Sequence, residues 1–266
     1  MRVDSVKMMT TFNFFTSVAW ISAGIISIVL SLSFLLKNPR KRLNQLFASG
    51  FICWSISLLF NGLTFTIAYS SLAVANILRN ICVAAGILSA LFLFIASIGI
   101  YFGAEAIHWL LYLGATILAI VMISFGVLND WVVPDGVGGY KTTDNLLGKS
   151  FVQLIPAALV IFGAILLTIT YFKLENPQAK KRIGFFIIGF STIILGLLLF
   201  LIDSFVTFSP YLFPSLAIVT WVTGPLLMLI GFYIKVTAYT AQAVQRLEPT
   251  PQSKTLDPNR KNNRPS

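Results

Sequence analysis

The chain has 266 residues, of which 57% are hydrophobic, 14% aromatic and 11% charged. Soluble globular domains contain about 45–50% apolar residues and about 25% charged ones. This composition argues against a soluble enzyme, a nucleic-acid-binding domain, a disordered protein and a disulfide-rich scaffold. The net charge of +10 has to be located along the chain before it is interpreted.

Seven segments are long and apolar enough to cross a bilayer as helices. A hydrocarbon core about 30 Å thick requires about 20 helical residues at a rise of about 1.5 Å each. The short segments of alternating polarity that characterise a membrane barrel are not seen. The sequence therefore predicts an all-α protein, a polytopic seven-helix transmembrane bundle. Its helices are predicted at residues 12–36, 46–68, 77–102, 107–128, 151–172, 183–202 and 211–234.

The apolar stretch of the first segment is longer than a signal-peptide core of about 7–15 residues, so we interpret it as a retained helix. Most of the 19 Lys and Arg residues follow helices 1 and 5 or lie in the C-terminal tail. By the positive-inside rule, this asymmetry predicts a multi-pass protein of the cell membrane with its N-terminus outside and its C-terminus inside. The positive charge is then explained by topology and by anionic lipids at the basic inner face, and no nucleic-acid partner is required.

Three regions follow from this topology: an extracytoplasmic segment at residues 1–11, a transmembrane domain at 12–236 and a cytoplasmic tail at 237–266. The tail is proline-rich and polar from about residue 248 and is predicted to be disordered there. The longest loop, residues 129–150, has a Gly-rich stretch after Pro134 and Asp135. That is turn chemistry rather than a phosphate-binding loop, and it predicts a flexible aqueous loop.

The sequence contains few residues of the types that serve in catalysis or metal binding. His108 is the one histidine, so no zinc-binding constellation is recognisable, and no serine-nucleophile elbow is present. The last helix contains no lysine near its middle, which argues against a retinal protein. We therefore expect no enzymatic activity, no cofactor and no metal. Cys53 and Cys82 are interpreted as free thiols inside helices.

Polar residues at membrane depth are the remaining candidates for function, because unpaired polar groups are costly in lipid. They cluster near the predicted outer ends of several helices. We hypothesise an outward-facing polar pocket with an Arg79–Asp203 ion pair. The alternative is that both side chains reach outward to the lipid headgroups. The residues predicted to line the pocket are Asn61, Gln153 and Trp221.

Two further patterns concern packing. Small residues recur every four positions in the first helix, which allows a second helix to approach closely. They are Ala19, Ala23, Ser27 and Ser31. Asn38-Pro39 and Asn176-Pro177 each end an apolar run and precede a basic cluster. This similarity indicates a parallel repeat of helices 1–3 and 5–7 around a linker helix, although any inward-facing loop is expected to be basic.

The layout resembles the seven-transmembrane sensor region at the N-terminus of many prokaryotic histidine kinases. The resemblance is in the outside N-terminus, the short basic loop from Asn38 to Arg42, the second helix from Leu43 to Phe65, and Leu78-Arg79-Asn80 opening the third helix. It covers about residues 10–240. In that family the seventh helix leads into kinase domains, whereas only about 30 residues follow it here. The resemblance therefore implies a stand-alone sensor module that signals through a separate polypeptide.

We accordingly expect an integral membrane receptor or sensor-like module that detects a small ligand or a membrane state and contacts a cytoplasmic signalling protein. One alternative is a small-solute transporter with a 3+1+3 helix repeat. Another is a structural subunit of a membrane complex. Whether the bundle forms a homodimer is left open by the sequence.

Overall fold

The computed structural model describes residues 11–127, 130–134, 140–142, 146–205 and 212–234. These residues form seven α-helices, one short 3-10 helix (Ala104–Ala106) and two short strands. The helices are α1 (Thr11–Lys37), α2 (Arg42–Ala68), α3 (Leu72–Phe102), α4 (Trp109–Val127), α5 (Leu146–Lys173), α6 (Pro177–Phe205) and α7 (Leu212–Tyr233). The strands are β1 (Val132–Pro134) and β2 (Tyr140–Thr142).

The all-α, multi-pass character predicted from composition is confirmed. Within the described residues, six helices are long and apolar enough to cross a membrane: α1, α2, α3, α5, α6 and α7. The apolar stretch of α4, Trp109–Phe125, is shorter than these six. Since α4 has 19 residues, its length along the axis is about 28 Å, close to the thickness of a hydrocarbon core.

Several helices begin earlier than the apolar runs predict. The third was expected from residue 77 but begins at Leu72, and the sixth was expected from residue 183 but begins at Pro177. Capping explains both extensions. The Ser71 hydroxyl accepts the Val74 N–H at 3.4 Å, and Asn176 Oδ1 accepts the Gln178 N–H at 2.9 Å. A cap satisfies exposed backbone donors and lets a polar stretch be helical.

Six of the helices form a closed ring in the order α1, α2, α3, α5, α6, α7, with α7 returning to α1. The fourth helix packs on α3 and α5 at the periphery of this ring. Its surface is largely apolar and exposed, as expected for a helix facing lipid. The exposed side chains of α4 include Leu110, Leu113, Ile117, Ile120 and Phe125.

The ring has two chemically different ends. We call the end at residues 37–42, 102–109, 173–182 and 233–234 the basic end, because it carries most of the described Lys and Arg residues. We call the opposite end, which contains residues 69–71, 130–134, 140–142 and the helix termini at 146, 205 and 212, the hairpin end. Two contacts place the ends of α4. Just before α4, the Ile107 carbonyl accepts a hydrogen bond from the Arg42 Nη1 at 2.8 Å, at the basic end. Just after α4, the Trp131 N–H donates to Asn76 near the start of α3, at the hairpin end.

The interior of the ring is filled by aromatic and aliphatic side chains from all six helices. Towards the basic end, Phe34 lies 5.0 Å from Phe47 and 4.7 Å from Phe232, measured between ring centroids. Both distances are in the range that favours aromatic packing. These buried rings fill the ring interior on the basic side with apolar side chains. The other phenylalanines among them are Phe51, Phe186 and Phe190.

The α1–α2 contact uses the small residues singled out in the sequence. Ala23, Ser27 and Ser31 are buried, and Ala19 is half-buried. The Ser31 hydroxyl donates to the Ala48 carbonyl of α2 at 2.8 Å. Small side chains allow such a direct bond between one helix and the backbone of the next.

The loop expected to be flexible between the fourth and fifth helices contains regular structure. Strands β1 and β2 pair antiparallel, with Val132 opposite Thr142 and Pro134 opposite Tyr140. The glycines at 136, 138 and 139 lie outside the described residues, as does the tail at 235–266.

Candidate polar site in the transmembrane ring

Arg79 lies deeper in the bundle than the sequence suggested. The sequence reasoning placed it at the opening of the third helix, but α3 begins at Leu72. Seven residues of helix correspond to about 10 Å along the axis. Arg79 therefore lies two turns inside α3, where it faces neighbouring helix rather than ending a span.

Four polar side chains of α2 and α3 form a connected cluster around Arg79. The Arg79 Nη1 donates to Asn61 Oδ1 and lies 3.7 Å from the Cys82 Sγ. The Cys82 thiol in turn lies 3.5 Å from the Ser57 hydroxyl. Arg79 is half-buried, and Asn61, Cys82 and Ser57 are buried. We call these four residues the Arg79 cluster.

Helical spacing explains why these residues meet. Ser57 and Asn61 are four residues apart on α2, and Arg79 and Cys82 are three apart on α3, so each pair lies on one face of its helix. The two faces are brought together by close packing, since a Cβ added at Gly86 lies 3.2 Å from the Ser57 hydroxyl oxygen. The sequence reasoning identified Arg79 and Asn61 but missed Ser57 and Cys82. The signal that could have identified them is their helical spacing, because Ser57 lies four residues before Asn61 and Cys82 lies three residues after Arg79.

Four buried polar atoms on α2 and α3 have no hydrogen-bond partner within the described part of the chain. They are Arg79 Nε, Asn80 Oδ1, Trp54 Nε1 and Ser89 Oγ. A buried unsatisfied donor or acceptor costs about 1–3 kcal/mol, and more when it is charged. Helices α2 and α3 thus carry buried polar atoms, mostly donors, that no described partner satisfies.

Arg79 is also without a described carboxylate partner. Its bonds are to a neutral amide and a thiol, whereas a guanidinium in an apolar environment is stabilised best by an anion that it binds through two parallel hydrogen bonds. The arrangement has the electrostatic character of an anion site: a positive charge, unused N–H donors and surrounding apolar helices.

The other predicted pocket residues fall in different places. Trp221 lies in an aromatic cluster, with its ring centroid 4.4 Å from that of Trp20 and 5.4 Å from that of Trp54. Because Trp54 is one turn from Ser57 on α2, this cluster adjoins the Arg79 cluster. The side chains of Gln153 and Asp203 lie outside the description, so the Arg79–Asp203 pair stays a prediction.

Asn76 was missed by the sequence reasoning and has a clear structural role. Its Oδ1 accepts the N–H groups of Trp131 and Val132, both at 2.9 Å, and its Nδ2 donates to the Val132 carbonyl at 3.3 Å. A single amide side chain thereby pairs with strand β1 as a neighbouring strand would. No local sequence signal identifies it, because its partners are more than 50 positions away.

The chain's histidine lies at the opposite end of the bundle. His108 and Glu105 are exposed in the connection between α3 and α4. Within the part of the chain that the structure describes, no three His, Cys, Asp or Glu residues are grouped in a way that could hold a metal ion. Cys53 and Cys82 are free cysteines, the first half-buried and the second buried.

Comparison with models of known protein families finds no match, and comparison with characterised proteins finds none either. The resemblance to the sensor region of histidine kinases therefore stays a prediction.

Proposed function

We propose that this chain is an integral membrane receptor or sensor module that detects a small ligand or a membrane state and signals to a separate cytoplasmic protein. The observation that carries the proposal is the Arg79 cluster with its unused buried donors. Ionisable groups inside a membrane are rare, and they usually serve a ligand, an ion or a conformational change. The chemistry of the cluster favours a ligand with a carboxylate group.

Ligand binding tests this directly. The purified chain, in nanodiscs, is heated with acetate, glutamate or citrate as carboxylate probes, with chloride as the reference anion. We expect at least one probe to raise the midpoint of thermal unfolding, because a ligand bound to the folded state stabilises it. In Arg79→Leu this rise should be lost, and in Arg79→Lys it should be reduced, since lysine keeps the charge but not the planar donor pair.

Lys173→Gln serves as the matched control, because Lys173 also contacts an uncharged partner but at the basic end, where its Nζ lies 3.1 Å from the Tyr101 hydroxyl. Lys173→Gln removes one positive charge, and the probe should still raise its midpoint of thermal unfolding by the full amount. An equal rise in wild type and Arg79→Leu would reject the Arg79 cluster as the site.

For the topology, we propose seven spans, with the N-terminus outside and the basic end in the cytoplasm. This is supported by the course of α4, which begins beside Arg42 and leads to Trp131 at the hairpin end. An even number of spans would leave both termini on one side, whereas the basic residues favour opposite sides. The Arg79 cluster then lies in the outer half of the bundle.

The signalling half of the proposal concerns the tail, residues 237–266. A photo-reactive residue in place of Arg246 is expected to capture a cytoplasmic signalling protein when native membranes are irradiated. A variant with the photo-reactive residue at Asp130, at the hairpin end, is the control. Capture of only lipid and copies of the same chain from Arg246 would contradict a separate signalling partner and favour a homodimer.

A transporter is the second candidate, and two observations favour it. The ring is built from α1–α3 and α5–α7, with α4 outside it, as a 3+1+3 repeat requires. The two Asn-Pro turns also match, because Asn38 Oδ1 accepts the Arg40 N–H at 3.2 Å and Asn176 Oδ1 accepts the Gln178 N–H at 2.9 Å. Accumulation of radiolabelled glutamate inside proteoliposomes would favour transport over sensing.

A further inference from the structure

Two cations from different helices converge on one aromatic ring at the basic end. The Lys37 Nζ, at the end of α1, lies 4.7 Å from the centroid of the Phe232 ring in α7. The Arg182 guanidinium carbon, in the first turns of α6, lies 5.3 Å from the same centroid. Phe232 is itself buried, so the ring is a fixed platform on which α1 and α6 each place a positive charge.

The two cations are close enough to repel each other. Because both distances are measured to one centroid, the charges are at most about 10 Å apart, within the range of electrostatic interaction at ordinary ionic strength. A cation–π contact contributes about 0.5–1 kcal/mol at an exposed site, and each of the two cations makes one with the same ring.

No negative charge of the chain compensates them in the part that the structure describes. The contacts described for Lys37 and Arg182 are with the aromatic ring, and none is with a carboxylate. Arg182 is half-buried, whereas Lys37 is exposed at the rim. We call Lys37, Arg182 and the Phe232 ring that they share the clamp.

The clamp is held in position by its neighbours. One turn before Lys37, the Ser33 hydroxyl lies 3.1 Å from the hydroxyl oxygen of Tyr233, which ties α1 to α7. On the other side, a Cβ added at Gly231 lies 3.1 Å from the Arg182 carbonyl oxygen, so α6 and α7 are in close backbone contact there. The separation of the two cations is therefore set by helix packing and not by side-chain flexibility alone.

We infer that Lys37 and Arg182 together bind a phosphate group at the edge of Phe232. Phosphate oxygens accept from both an ammonium and a guanidinium, and the guanidinium binds two of them at once. The position at the end of membrane-spanning helices suits the phosphate of an anionic lipid headgroup. A free phosphate in solution has the same chemistry, and the experiment separates the two sources.

The chain provides a matched control for charge. Lys173 and Lys180 also lie at the basic end, each over a single aromatic ring: Lys173 is 4.3 Å from the Tyr101 centroid and Lys180 is 5.8 Å from the Tyr171 centroid. The double variants K37Q/R182Q and K173Q/K180Q therefore each remove two positive charges from cation–π contacts at the same end. Only the first removes a pair that shares a ring.

The lipid experiment uses the full chain in nanodiscs of phosphatidylcholine with a minor fraction of phosphatidylglycerol, and native mass spectrometry to measure the retained phosphatidylglycerol. If anionic lipid is held only by diffuse attraction to the basic end, each removed positive charge lowers the affinity for phosphatidylglycerol about fivefold, wherever that charge lies. For a bound phosphate, we expect a larger loss in K37Q/R182Q than in K173Q/K180Q, by about tenfold or more. Equal losses in the two double variants would rule out a lipid phosphate as the group bound by Lys37 and Arg182.

The second arm measures the midpoint of thermal unfolding in pure phosphatidylcholine nanodiscs with inorganic phosphate, against chloride at the same ionic strength. A phosphate-specific rise that K37Q/R182Q lacks would identify a free anion as the source. If neither phosphatidylglycerol nor phosphate binds wild type better than K37Q/R182Q, the inference is wrong. Should the double variant fail to fold, the single variants K37Q and R182Q replace it. K37R, which keeps the charge, should retain binding.

Discussion

Arg79 shows how the surroundings of one residue determine its role. A charge taken out of water is costly unless hydrogen bonds and an opposite charge replace the lost hydration. Asn61 and Cys82 supply hydrogen-bond partners, but neither supplies a negative charge. This is the reason for proposing that Arg79 takes part in ligand recognition.

Glycines in α6 and α7 make a second residue-scale prediction. A Cβ at Gly189 would lie 2.7 Å from the carbonyl oxygen of Gly224 and 2.6 Å from the Met228 Cγ, distances at which the helices have to move apart. Gly189→Ala should therefore lower stability by about 1–3 kcal/mol, the usual cost of overpacking. The measurement is the midpoint of thermal unfolding in detergent.

Gly114 provides the control for that prediction. It lies in α4 with open space around its Cα, so Gly114→Ala should leave stability unchanged or raise it by up to about 1 kcal/mol through helix propensity. If Gly189→Ala is as stable as Gly114→Ala, the α6–α7 approach is looser than described.

At the scale of elements, the hairpin of β1 and β2 depends on α3. Two strands alone are marginally stable in water, and this pair is supported by the three hydrogen bonds of Asn76 and by burial of Trp131 and Val132. Tyr140 of β2 adds an edge-to-face contact with Tyr69, with centroids 5.2 Å apart. Helix packing thus stabilises a loop whose composition suggested flexibility.

Asn76→Ala is expected to release the hairpin. It leaves the N–H groups of Trp131 and Val132 without their acceptor, at a cost of about 1–3 kcal/mol. Hydrogen exchange at these two amides should become much faster, while exchange in the middle of α3 should not change. Asn76→Asp is the control, because it keeps acceptors for both N–H groups. Unchanged exchange in Asn76→Ala would show that burial alone holds the strand.

At the scale of the whole molecule, the prediction concerns which side of the membrane each end faces. The test replaces Glu105, Glu175 or Asp130 singly with cysteine, in a chain whose Cys53 and Cys82 are replaced by Ala. We expect an impermeant thiol reagent to label position 130 in intact cells, and positions 105 and 175 only after permeabilisation. The physical reason is the distribution of Lys and Arg, which favours a cytoplasmic basic end.

The same experiment tests the seventh span, because positions 105 and 130 flank α4. Labelling of both from one side would mean that α4 does not cross the membrane, and the number of spans would then be six. Labelling of position 175, but not of 130, in intact cells would reverse the proposed orientation.

Composition and periodicity determined the class of this protein. A chain in which 57% of the residues are hydrophobic and the apolar runs are about 20 residues long has few alternatives to a helical membrane protein, since backbone groups must bond internally in lipid. The small-residue stripe of α1 was recognised for a similar reason: close approach of helices requires small side chains whatever their partners are. Such features are local, and the sequence displays them directly.

Only the tertiary structure decided which helices are neighbours and which side chains meet. Asn76 and Trp131 are 55 positions apart, and Lys37, Arg182 and Phe232 come from three different helices. The sequence singled out Arg79 and Asn61, but the contributions of Ser57 and Cys82 followed only when α2 was placed on α3. The first turns of α3 and α6 were predicted to be loop, because hydropathy does not take helix capping into account. Contacts between distant segments depend on packing, which no local pattern records.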